Sequence, residues 1–329
     1  MRFIDAETIE ATLDYPGLVD VLERAFRGGV IAPPRHHHAV PLAARPEATW
    51  LLMPAISAKS GANGAQVAGA YMGMKSVTVF PDNAARSGKP AIHGMYLLLS
   101  TETGETLAIL DATRLTVWRT AAASALAARY LARPGTSRML MVGAGALAPY
   151  MIRAHASVRP IRDVMVWNRT PAAAEKVAAA FTGSTLNVCA VDDLEAAART
   201  ADLISTATIS SEPLIRGAWL KPGTHVDSVG AYRESLRETD DAVVTAARVY
   251  ADTMAGAFGE AGDILQPLKA GLIGKSHVLG DLADLVSGRV SGRGSAAEIT
   301  FFKSVGASIE DLAAAIAVYE TCAAPATAK

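Results

Sequence analysis

The chain is poor in most features that would betray a function at once. It has two cysteines in 329 residues, Cys189 and Cys322. They form neither a metal-binding spacing nor a disulfide framework, so a reducing cytoplasm is the expected compartment. Aromatic residues make up 6%, and neither sign of charge dominates, with 31 Lys and Arg against 32 Asp and Glu. That balance offers no electrostatic footprint for nucleic acid or an acidic membrane. No uninterrupted apolar run reaches the length of a membrane span. Met1-Arg2-Phe3-Ile4-Asp5 meets an acid before any apolar stretch, so no secretory signal is expected. Internal repeats and low-complexity segments are missing too, and only Ala323 to Lys329 reads as a loose tail. What remains is a chain half hydrophobic, of mean hydropathy +0.23, long enough for two domains and a large core.

The most informative stretch is Gly143-Ala144-Gly145-Ala146-Leu147-Ala148. The apolar run Arg138 to Val142 before it has strand length, and Pro149 to Val158 after it has helical spacing. Strand, glycine turn and helix make the setting of a dinucleotide fingerprint. Gly143 suits the tight turn and Gly145 the close approach of a pyrophosphate. Ala148 is small enough for helix and strand to pack, with the diphosphate at the helix N-terminus. Asp163 to Trp167 reads as the next parallel strand. At its end stands Asn168-Arg169-Thr170, where an NAD enzyme usually carries an acid for the ribose 2′-hydroxyl. Arg169 is either a surface residue or the partner of a 2′-phosphate, and the missing carboxylate favours NADP(H), with NAD(H) possible.

Before the glycine turn, residues 14 to 28 read as an amphipathic helix capped by Asp14, with Leu18, Val21, Leu22, Ala25 and Phe26 on one face. Pro33-Pro34 stiffens the backbone at Arg35. His36-His37-His38 invites a metal, but consecutive positions of an extended chain face opposite ways and no acid or cysteine completes a set, so no metal is expected. Trp50 to Met53 and Tyr71 to Phe80 look like strands. In the second, alternation puts Lys75 in line with Val77 and Val79; it is either turned inward towards a pocket, or solvated with the opposite face buried. Pro81 to Pro90 reads as a loop, and Gly94 to Ser100 with Glu105 to Asp111 as a hairpin. The first third is therefore a largely antiparallel α+β domain. A long helix from about Thr113 to Ala132 carries Arg119, which is either exposed or buried against an anion.

After the glycine turn the βα alternation continues. Leu186 to Val191, Asp202 to Thr208 and Thr224 to Gly230 are strands, and Arg248 to Asp252 is the final candidate. Thr206-Ala207-Thr208 lies at the end where a doubly wound sheet binds its ligand. The last helix is expected to start at Ser308, with Asp311 completing a capping box and Leu312, Ala315, Ile316 and Tyr319 as its apolar face.

Taken in order, Pro33-Pro34-Arg35, Gly73-Met74-Lys75, Leu115 to Ala122, Gly143 to Ala148, Pro222 to Val226, Glu260-Ala261-Gly262-Asp263 and Phe302 to Gly306 resemble the ornithine cyclodeaminase/mu-crystallin family. The segments span almost the whole chain in the family's order. The resemblance implies an α/β protein: a Rossmann-type doubly wound parallel sheet, residues 119–302, inserted into an N-terminal α+β domain. That outer domain, residues 1–118 plus 303–329, would bind substrate and form a homodimer. Lys75, Arg35 and Arg119 are implied around a substrate carboxylate. Thr120, Thr206, Ala207, Thr208, Val229, Gly230, Lys303 and Ser304 are implied along the cofactor, beside Gly143, Gly145, Ala146, Leu147, Asn168, Arg169 and Thr170.

The function this implies is reduction of a cyclic imino acid by NAD(P)H, with a small amino or imino acid as substrate. The alternatives within the family are ornithine cyclodeamination with recycled NAD, alanine dehydrogenation, and an NADPH-dependent binding protein of the mu-crystallin kind. Cyclodeaminases of the family carry an Asp-x-x-x-Lys pair after the strand that ends here at Val229-Gly230. Tyr232 and Leu236 occupy those positions. A phenol of ordinary pKa is a poor base at neutral pH and leucine has no charge, although Glu234 lies close by.

Overall fold

A computed structural model describes residues 1–57 and 71–323. The tail expected from Ala323 onward lies outside the described residues apart from Ala323, which ends the last helix. The chain forms two compact units, one of Met1–Thr120 with Ala307–Lys329 and the other of Ala121–Gly306. The boundary at Thr120 falls inside the helix Ala112–Leu131.

Among the described residues the first unit is built on a seven-stranded sheet: β1 Arg2–Ile4, β2 Val30–Ile31, β3 His36–Val40, β4 Ala48–Ser57, β5 Tyr71–Val79, β6 Ile92–Ser100 and β7 Thr106–Asp111. The order is β1-β7-β6-β5-β4-β2, with β3 also on β4, and every pairing is antiparallel except β1 with β7. The helix Tyr15–Arg27 begins as read, with the Asp14 carboxylate accepting from the Gly17 amide at 2.8 Å. Its buried face includes Val19 in place of Val21, which is only half-buried. The helix Ser308–Ala323 packs on that helix and on β4, β5 and β6. It is buried all round from Ser308 to Ile316, a wider burial than a one-sided apolar face gives. Asn83–Ser87 closes one helical turn where a plain loop was expected.

The second unit is an eight-stranded sheet: β8 Arg138–Val142, β9 Asp163–Trp167, β10 Asn187–Ala190, β11 Leu203–Thr206, β12 His225–Ser228, β13 Arg248–Ala251, β14 Val278–Asp281 and β15 Thr300–Lys303. All its pairings are parallel, in the order β10-β9-β8-β11-β12-β15-β13-β14. The order reverses between β8 and β11, so this is a doubly wound sheet with its ligand crevice at that reversal. Both faces are covered, which is why its strands read as unbroken apolar runs: Leu140, Val142, Ile204, Val226, Val249 and Phe301 share one core. β13 is not the last strand. β14 and β15 follow, each of four residues with polar or glycine positions that blur the strand signal. No helix among the described residues is long and apolar enough to cross a membrane.

Candidate functional site

Two constellations stand out, one in each unit. In the second unit, β8 ends at Val142 and the chain turns at Gly143, whose φ of +103° suits glycine. The Gly143 amide donates to the Trp167 carbonyl at 2.9 Å, and the Ala144 amide to the Asn168 side chain at 3.2 Å. The turn is thereby tied to the end of β9. A Cβ on Gly143 would sit 2.7 Å from the Ala207 carbonyl oxygen. Gly145 differs: a Cβ there would meet no protein atom within 4 Å. The protein's own packing does not demand glycine at 145, so the open space is available to a ligand.

Among the described residues the backbone amides of Gly145, Ala146 and Leu147 find no acceptor. They lead into the helix Ala148–Val158, which has no side-chain cap. Unpaired amides at the positive end of a helix dipole form a cradle for a diphosphate. Ala148 is buried, as close helix–strand packing requires. Gly143, Gly145, Asn168, Arg169, Thr170, Ala207 and Thr208 line a cavity of about 300 Å3, with Ile209 exposed beside them. Arg169 is exposed on that lining, and no carboxylate is among the lining residues. The residues therefore fit a dinucleotide.

Thr206, Val229, Gly230, Lys303 and Ser304 are not among the residues lining this cavity. Thr206 ends β11 fully buried, its hydroxyl without a partner among the described residues. Gly230 follows β12 so closely packed that a Cβ would lie 1.8 Å from the Thr208 carbonyl oxygen; Val229 precedes it. Lys303 is fully buried, with its Nζ 3.1 Å from Asp263 and 3.0 Å from the Ser228 hydroxyl. The Ser304 hydroxyl donates to Asp252 at 3.0 Å. Thr120 belongs to the first unit and is buried there.

Sequence reasoning missed Glu238. Its carboxylate accepts from the Thr208 amide at 2.6 Å and hydroxyl at 2.8 Å, and from the Gly230 amide at 2.7 Å. It thus ties the loops after β11 and β12 together. Nothing in the local pattern around Arg237-Glu238-Thr239 announces this.

In the first unit, Lys75 sits on β5 between Met53 of β4 and Tyr96 of β6. It is 3% exposed, which settles its orientation as inward. Its ammonium lies 2.9 and 2.8 Å from the two carboxylate oxygens of Asp311 and 3.5 Å from the Thr116 hydroxyl. Arg119 is also buried. It donates from Nε to Asp311 at 2.8 Å and from Nη1 to Glu310 at 2.5 Å. The anion that Arg119 requires is therefore internal: Glu310 and Asp311, both fully buried. Asp311 is a ligand of two cations and not the capping-box acid expected of it. Burial, and next the Arg119 charge, pull the Lys75 ammonium down to about 8, against the opposing charge of Asp311. Arg35, half-exposed just before β3, adds a smaller push in the same downward direction. Tyr96 fills the space over Gly73, where a Cβ would lie 2.3 Å from its hydroxyl oxygen, and burial raises the phenol well above its ordinary range.

His36 to Val40 is a strand, and the His38 ring rests 5.7 Å from the Trp50 ring. Among the described residues no group of three or more His, Cys, Asp or Glu side chains is arranged to hold a metal.

An α+β unit interrupted by a doubly wound dinucleotide-type unit, with buried lysine and arginine in the first, defines a class that comparison makes specific. The model of the ornithine cyclodeaminase/mu-crystallin family matches residues 7–325, and the chain belongs to that family. A Δ1-pyrroline-2-carboxylate reductase of Paracoccus denitrificans is 41% identical over 249 residues, 75% of this chain and 78% of that one. The ketimine reductase mu-crystallin of Mus musculus is 32% identical over 97% of this chain and 96% of its own. The solved structure of Thermococcus litoralis Δ1-pyrroline-2-carboxylate reductase, in complex with NADH and L-proline, superposes with a TM-score of 0.89. It is 30% identical and covers 98% of each chain.

Proposed function

We propose that this chain is a nicotinamide-dependent oxidoreductase that reduces a cyclic ketimine carboxylate, such as Δ1-pyrroline-2-carboxylate or Δ1-piperideine-2-carboxylate, to the cyclic amino acid. The observation that carries the reading is the buried Lys75–Arg119 pair, which the family resemblance implies for substrate, in a chain similar to reductases of this type. When bound, the reduced nicotinamide supplies the hydride, and the protein supplies orientation and charge. Arg119 and Arg35 would clamp the substrate carboxylate. Lys75, whose ammonium is pulled down no further than about 8, would join them and hold a proton near the substrate nitrogen.

The second unit would hold the dinucleotide. Gly145, Ala146 and Leu147 would cradle the diphosphate, and Arg169 would face the ribose 2′ position. The preference for NADPH rests on Asn168-Arg169-Thr170 alone, since the similar Thermococcus structure holds NADH. The first unit would also form a homodimer. Trp50, Ile56 and Met95 are exposed on the sheet face opposite Lys75, and a second copy would cover them. A structure 29% identical with a TM-score of 0.87 is an archaeal alanine dehydrogenase dimer, which makes alanine oxidation the second reading.

The residues that follow β12 speak against cyclodeamination. Tyr232 and Leu236 stand where the family's acid and lysine would be, and Glu234 is exposed and ion-paired with Lys269. Initial rates on five- and six-membered ketimines, L-ornithine, and pyruvate with ammonia test the proposal, each with NADPH and NADH. Ketimine reduction is expected, with no proline from ornithine. Ammonia release from ornithine at a comparable rate would overturn it.

A further inference from the structure

The two cations proposed to receive the substrate are already engaged with carboxylates from the helix Ser308–Ala323. Asp311 is the shared element, since its two oxygens straddle the Lys75 ammonium at 2.9 and 2.8 Å while Oδ1 also takes the Arg119 Nε at 2.8 Å. A fully buried carboxylate placed this way is not a surface ion pair of small consequence. We propose that Asp311 is a positioning residue: it fixes the Lys75 side chain and supplies the counter-charge that keeps it an ammonium inside the first unit. This rests on the ketimine-reductase reading for its kinetic consequence, though not for its chemistry.

Among the described residues, five segments bring side chains to Lys75 or to the charges acting on it. The helix Ala112–Leu131 offers the Thr116 hydroxyl, which does not titrate, and Arg119, which repels the ammonium. The segment before β3 brings Arg35, which repels it too. From β6 comes Tyr96, a phenol held neutral by burial. Met53 on β4 is apolar. The helix Ser308–Ala323 brings Asp311, and Glu310 on Arg119. Among the described residues Asp311 is thus the one charged group in contact with Lys75 that favours its proton, while burial and two guanidinium groups oppose it. An opposite charge at this distance is worth about one to three pKa units. Without it, the neutral amine should gain ground at neutral pH, weakening both the attraction for a carboxylate and the hold on a proton.

The test compares wild type with Asp311→Asn and Asp311→Glu in the full chain. The 13Cε resonance of Lys75, assigned by its disappearance in Lys75→Met, is titrated without substrate, and kcat/KM for ketimine reduction is followed from pH 6 to 9. Asp311→Asn should move the Lys75 titration to lower pH, lower kcat/KM about tenfold or more at pH 8, and regain most of it at pH 6. Asp311→Glu, which keeps the charge, should restore much of the profile. A Lys75 titration unmoved by Asp311→Asn, or a rate loss equal at every pH, would overturn the proposal. Should Asp311→Asn not fold, wild type alone still decides: Lys75 found neutral at pH 7 refutes the assignment. A wild type that shows the expected Lys75 titration yet reduces no ketimine would refute the functional reading and leave the Asp311 assignment standing.

Discussion

Gly143 and Gly145 lie two residues apart in one turn, and the structure assigns them opposite liabilities. An alanine at 143 must adopt a φ of +103° and place its methyl 2.7 Å from the Ala207 carbonyl oxygen. Strain of that kind costs about 1–3 kcal/mol, and the contact adds to it, so Gly143→Ala should lower Tm by several degrees. Gly145→Ala meets no protein atom within 4 Å. Removing a glycine where the new residue fits changes stability by about 0.4–1 kcal/mol, in the stabilising direction. Its cost should fall on the ligand alone. A methyl group forced into a fitted contact costs about 1–3 kcal/mol, which is about a 5- to 150-fold rise in Kd. Thermal unfolding and titration by NADPH fluorescence measure both effects on the same samples. A Gly145→Ala protein that binds NADPH as tightly as wild type would show that no diphosphate passes over residue 145, and the cofactor assignment of the cavity would fall with it.

Arg169→Ala should weaken NADPH about tenfold or more while leaving NADH nearly unchanged, because a charged hydrogen bond to phosphate is worth about 1.5–3 kcal/mol; equal losses in Kd for both would remove Arg169 from the 2′-phosphate. Lys75→Ala should cut kcat/KM for the ketimine by about 100-fold or more with NADPH affinity intact, and a variant near wild-type kcat/KM would sink the role given to Lys75. Acid should destabilise the second unit below pH 6.5, because burial depresses His225 from 6.5 to about 3. The folded state holds this ring neutral while the unfolded chain takes up a proton, so stability present above 6.5 is lost as pH falls, by up to about 1.4 kcal/mol per unit. Urea midpoints between pH 7 and 5 check the sign, and a midpoint that rises on acidification refutes it.

Much of this architecture is legible in the sequence because it depends on local pattern. Arg138 to Val142 and Asp163 to Trp167 are apolar runs of strand length, and a parallel sheet covered on both faces produces such runs. The turn between them carries its own glycines. Lys75 is legible in part: alternation on β5 aligns it with Val77 and Val79 but leaves open which face is buried, and its partner lies 236 residues further along the chain. Asp311 was hidden by a second, local explanation. An acid three residues after Ser308 satisfies the capping-box pattern, and no local rule distinguishes that use from an ion pair to a distant strand. β14 and β15 were missed for a different reason: Gly280 and Asp281 interrupt the first, and Thr300 and Lys303 bracket only two apolar residues in the second.

The unread residues have something in common. The crevice of a doubly wound sheet lies where strands end and backbone amides lose their ladder partners. Side-chain carboxylates take over. Glu238 accepts the amides of Thr208 and Gly230, and Asp252 accepts those of Val305 and Gly306 at 2.7 and 2.6 Å. Asp263 accepts the amides of Glu238 and Thr239, both at 2.9 Å, and so holds the residue that holds the loops. Each acid is fully buried, and each bonds backbone remote from it in sequence. An unsatisfied amide in such a place costs about 1–3 kcal/mol, so these acids are as necessary to the crevice as the glycines that announce it. They escape a reading by pattern because acids are ordinarily solvated and because their partners are backbone, which every residue carries. Buried acids are therefore structural supports for the loops after the strands, while Arg169 is exposed on the cavity lining with no salt bridge to an acid among the described residues.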